Sequence, residues 1–263
     1  MNRYLSTAAL AARPTIYKAL AITALSALAV GFLLLRLPLA AADETYQAMG
    51  AYPYIFPLYL AETASRSGAS AACLAGFVAL MAVMSLNGCG FGVKTDYTVR
   101  RLRLEEWQAE LLWAGCYTVC VLLYWAAMAA VCYWAAGRRL AMLAADETLA
   151  GCFLHDSHAR LLTFYASPFF HHLLPLGDLL VWAEDVILAV LCGGAAVRFS
   201  RRQRKGHLSL APLYAVVLTV LTFWTGIGDP AGYLLLLVII AAAVYNLLRR
   251  GEEEDEALVA KDP

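Results

Sequence analysis

The chain has 263 residues, 62% of them hydrophobic and 15% charged, and its 20 basic and 20 acidic residues cancel to zero net charge. A soluble domain carries about 25% charged residues, and a single soluble core of this size cannot hide so much apolar surface. The composition therefore excludes an ordinary soluble fold, and the balanced charge excludes a global basic field for nucleic acid. An all-α polytopic membrane protein remains.

A bilayer-crossing helix needs about 20 mostly apolar residues. Six segments qualify: 19–35, 67–93, 111–137, 179–197, 208–228 and 230–248. Lys18 stands at the edge of the first span, where its stem can snorkel. Leu39-Ala40-Ala41-Ala42 after that span imitates a leader cleavage site, but five further spans favour an uncleaved first helix. The uncharged run 45–61 carries Pro53, Pro57 and four tyrosines, Tyr46, Tyr52, Tyr54 and Tyr59. Proline breaks helices and tyrosine favours the headgroup zone, so this run reads as an interfacial segment leading into the second span. Asn87, Gly88, Gly90 and Gly92 loosen the inner end of that span, as a hinge or as a site of close helix packing.

The stretch 92–107 joins the second and third spans. Thr95 or Asp96 can cap a short helix there. Val99 and Leu102 share one face, as do Leu104, Trp107 and Leu111, while Arg100, Arg101, Arg103, Glu105 and Glu106 supply polar faces. The pattern is that of a short amphipathic helix lying on the membrane surface. On composition alone it is equally a basic loop held to anionic lipid.

Beyond the third span lies a long segment, 138–178, ending in an uncharged run, 161–177, with Pro168 and Pro175. That run reads as an interfacial or half-inserted hairpin, because irregular backbone exposed to lipid is not tolerated. His155, Asp156, His158, His171, His172 and Asp178 form a cluster of ligand-type residues here. Their spacing matches no metal motif, so surface and capping roles are the plainer reading and no metal is expected. Glu184 and Asp185 enter the fourth span. Intramembrane acids are costly and mark pathways for cations or protons; the plainer account is that negative charge is favoured near a helix N-terminus. The seven cysteines include no CxxC pair and read as small buried hydrophobes. Residues 251–263 form an acidic tail that reads as solvated, leaving 1–250 as one six-helix unit. No phosphate-binding GxxxxGK[ST] and no nucleophile triad appears, so the chain is expected to be neither an ATPase nor another enzyme.

Orientation follows from the loop lysines and arginines. With both termini in the cytoplasm, fifteen of them fall inside and five outside: Arg36, Arg66, Arg138, Arg139 and Arg160. The adjacent pair Arg138 and Arg139 runs against the rule.

Within the stretch above, Tyr97-Thr98-Val99-Arg100-Arg101-Leu102 follows the second of six spans. This element resembles the coupling-helix region of type-2 ABC transporter permeases. The six-span layout with both ends inside is similar too, as are the basic run Arg201-Arg202-Gln203-Arg204-Lys205-Gly206 and the Ser167-Pro168-Phe169…Leu174-Pro175-Leu176 stretch. The outer loop between the last two spans is shorter than in many such permeases. The resemblance implies a membrane-spanning exporter subunit in a bacterial plasma membrane. It implies a separate cytoplasmic ATPase partner that carries ATP and Mg, and a second permease copy or sister permease. Coupling would fall to Asp96, Tyr97, Thr98, Val99, Arg100, Arg101, Leu102 and Trp107, and the pathway to Glu184 and Asp185. The alternative is a polytopic membrane enzyme or an accessory membrane protein.

Overall fold

The computed structural model describes residues 3–36, 55–87, 106–145, 157–165, 167–204 and 208–225, with isolated helical residues between 237 and 245. All of the described elements are helical. In chain order they are α1 (Arg3–Arg36), α2 (Ile55–Ser67), α3 (Ala69–Asn87), α4 (Glu106–Ala145), α5 (Ser157–Leu162), a 3-10 turn (Thr163–Tyr165), α6 (Pro168–Leu173), α7 (Leu179–Arg204) and α8 (Ala211–Thr225).

Four helical stretches are long and apolar enough to cross a membrane: Thr15–Arg36, Ala69–Asn87, Trp107–Ala145 and Leu179–Gln203. They coincide with the first four spans expected from hydropathy, and the protein is a multi-pass, all-α membrane protein. The fifth expected span contains α8, whose apolar stretch is shorter. Most of the sixth, 230–248, lies outside the described residues, as do segment 88–105 and the tail.

Polar contacts between helix ends fix the threading. At one end of the bundle, Lys18 Nζ donates to Asn87 Oδ1 at 2.7 Å. At that end, too, Arg201 grips Glu110 through Nε–Oε1 and Nη1–Oε2, both 3.2 Å. Ser200 Oγ donates to the Ser85 carbonyl at 2.8 Å. At the opposite end, Arg139 Nε donates to the Leu34 carbonyl at 3.0 Å. So α1 and α4 run one way, and α3 and α7 run the other. Helix α1 packs on α3 and α4, α7 packs on α3 and α4, and α8 lies against α7.

Helix α7 is the central element: 61% of its apolar window is buried against protein, compared with 28% for α1. Lipid tails are as apolar as leucine, so helices in a bilayer associate by close van der Waals packing of small residues. The sequence of α7 supplies them: Ala189, Cys192, Gly193, Ala195 and Ala196 are all buried. On α1, by contrast, Leu20, Leu25, Leu28 and Phe32 are exposed, an apolar stripe suited to lipid.

Two expectations are refined by the fold. Residues from Ile55 onward in the run 45–61 are helical, with Tyr59 and Leu60 buried. Pro57 is tolerated there because it sits in the first turn of α2, where no intrahelical donor is lost. Gly68 then breaks the chain between α2 and α3 with φ +73°, a conformation that only glycine adopts freely. The basic residues from Arg198 to Arg204, expected in part as a linker, continue α7 instead.

Candidate functional site

The end of the bundle that holds Arg139 carries the short elements α2, α5 and α6. Ser167 caps α6, accepting from the Phe170 amide at 3.4 Å, and Pro168 takes the first turn. Phe164, Phe169 and Phe170 are buried, which holds this stretch, expected as an interfacial or half-inserted hairpin, against the bundle. The Tyr165 hydroxyl donates to the Leu176 carbonyl and closes the loop. Asp178 caps α7, accepting from the amides of Leu180 at 3.0 Å and Val181 at 3.4 Å.

This folding brings together residues that were singled out on separate grounds. His172 Nδ1 lies 3.0 Å from Asp185 Oδ1, and both side chains are buried. With the carboxylate accepting, the imidazole donates, which orients its ring; that ring stacks on Phe223 of α8 at 5.1 Å. His171 Nε2 lies 3.7 Å from Asp178 Oδ2. Glu184 is fully buried, and neither carboxyl oxygen has a hydrogen-bond partner among the described residues. The charges that bear on it are those of His172, Asp185 and Asp178. A carboxyl group in this state inside a membrane bundle is costly to bury. No group of three or more histidines, cysteines, aspartates or glutamates is placed to hold a metal among the described residues. His155 lies outside them, and His158 stands in α5.

The His172–Asp185 pair opens onto a groove of about 750 Å³ between α4, α6 and α7. Its walls are apolar, and Trp125, Tyr133 and Trp182 give them aromatic surface. Trp182 and Val186 are exposed at its lip. Nothing in the sequence pointed to this groove, because its walls come from separate stretches of the chain.

Among the residues expected to couple to an ATPase, Trp107 is described: it begins the apolar stretch of α4 and is exposed. Asp96, Tyr97, Thr98, Val99, Arg100, Arg101 and Leu102 lie outside the described residues. The contacts that lock the bundle ends, Arg139 to Leu34 and Arg201 to Glu110, were not legible beforehand, since each joins residues about a hundred positions apart. Comparison with protein-family models, with curated proteins and with solved structures found no match.

Proposed function

We propose that the chain is the membrane-spanning subunit of a bacterial ABC exporter, with six spans and both termini in the cytoplasm. A separate ATPase subunit with its ATP and Mg supplies the energy, and a second permease copy or a sister permease completes the path. The likeness of Tyr97–Leu102 to a coupling helix motivates this reading.

One structural observation supports it above the others. Helix α3 ends and α4 begins at the same end of the bundle, so segment 88–105 leaves and returns there. That end is braced by the two-pronged Arg201–Glu110 pair and by Lys18–Asn87. A guanidinium that donates to one carboxylate oxygen, at Nη1–Oε2, and lies 3.2 Å from the other through Nε holds the two helix ends together by charge as well as by a hydrogen bond. Movement delivered to segment 88–105 would therefore pass into α4 and α7 without being lost in loose helix ends. Glu184 and Asp185, farther along α7, would then line the transported species' path.

The test is a double charge reversal, Arg100→Glu with Arg101→Glu. Truncating one side of a partly buried charge contact costs about 2–5 kcal/mol, and reversal costs no less. The variant is expected to reach the membrane, because the apolar spans are untouched, and to lose co-purification of the ATPase. Unchanged recovery of the ATPase and unchanged stimulated hydrolysis would reject the reading. A lipid anchor at 92–107 would instead weaken dependence on anionic lipid and leave the complex intact.

A further inference from the structure

The groove between α4, α6 and α7 combines three properties. It is open at one side, with Trp182 and Val186 exposed at its lip. It runs along α4 from Val119 to Tyr133, about 21 Å at 1.5 Å per residue. It is lined mostly by apolar and aromatic side chains, with the buried His172–Asp185 pair among them.

Near that pair stand three acids, Asp178, Glu184 and Asp185, and two imidazoles, His171 and His172. Neither carboxyl oxygen of Glu184 has a hydrogen-bond partner among the described residues. Arg160 stands over Gly137, one helical turn past the Tyr133 end. An anion would meet Asp185, a carboxylate, at the floor. A cation would meet a carboxylate at the floor and aromatic faces from Trp125, Tyr133 and Trp182 along the walls. Aromatic faces attract cations, and the attraction grows where water is excluded.

We propose that this groove binds a lipophilic organic cation, admitted from the bilayer, with its charge against Asp185 and its apolar body along α4. As the cargo of the proposed exporter, this assignment rests on the transport reading; as a binding site, it stands on the groove alone.

The test uses tetraphenylphosphonium and tetraphenylborate, ions of the same shape and opposite charge, with the full chain in lipid nanodiscs and no ATPase present. Quenching of tryptophan fluorescence is expected to saturate with the phosphonium and not with the borate. Asp185→Asn should weaken phosphonium binding about tenfold. Because that change also touches His172, Trp182→Ala at the lip provides an independent variant, expected to weaken it about threefold. Equal, unsaturable uptake of both ions would overturn the proposal, as it would signal simple partition into lipid. No binding of either ion would overturn it too, because a second copy or a lipid tail would then fill the groove. Neither result depends on ATPase co-purification, so the failure of this proposal and the failure of the transport reading remain distinct.

Discussion

Arg139 meets the last turn of α1, where carbonyl groups lack intrahelical partners and the helix dipole is negative. Its Nε donates to Leu34, and its guanidinium lies 5.9 Å from the Tyr59 ring centroid. The neighbouring Arg138 is exposed. The two arginines that run against the orientation rule are therefore different in kind: one is an internal cap and one is a surface charge. Arg139→Leu should lower stability in detergent by about 1–3 kcal/mol, the cost of an unpaired buried carbonyl. Arg138→Leu should stay within about 0.5 kcal/mol. Thermal unfolding of the two variants side by side checks this, and equal losses would contradict it. The sequence named His172 and Asp185 but could not pair them, because their meeting depends on the turn at 174–178. Asp178 had a capping role among its expected readings, and it caps α7.

Among the elements, the long helices were legible from hydropathy because a bilayer span needs an unbroken apolar run. The short helices α2, α5 and α6 were not, since they contain prolines, tyrosines and histidines; α2 and α6 bury Tyr59, Leu60, Phe169 and Phe170. The closeness of the helices was hidden as well. A β-carbon at Gly193 would lie 2.6 Å from the Ala114 carbonyl oxygen, whereas one at Gly194 would meet nothing within 4 Å. Gly193→Ala should thus force α7 away from α4 and cost about 1–3 kcal/mol. Gly194→Ala should be neutral or slightly stabilising through helix propensity. Chemical or thermal denaturation in a fixed detergent separates the pair, and a neutral Gly193→Ala would show that the α4–α7 seam is looser than described.

For the whole molecule, the described helices form a bundle with two unlike ends. One is braced by Arg201–Glu110 and Lys18–Asn87 and flanks segment 88–105. The other carries the histidine and acid cluster beside the groove. In the proposed exporter, energy would enter at the first and cargo would be met at the second. The most direct test of this proposal is photocrosslinking from position 101 in intact cells, with a photoreactive side chain replacing Arg101. The account predicts an adduct to a cytoplasmic ATPase subunit, identified by its nucleotide-binding peptides and lost when that subunit is deleted. Adducts to lipid alone, with none to an ATPase, would contradict it.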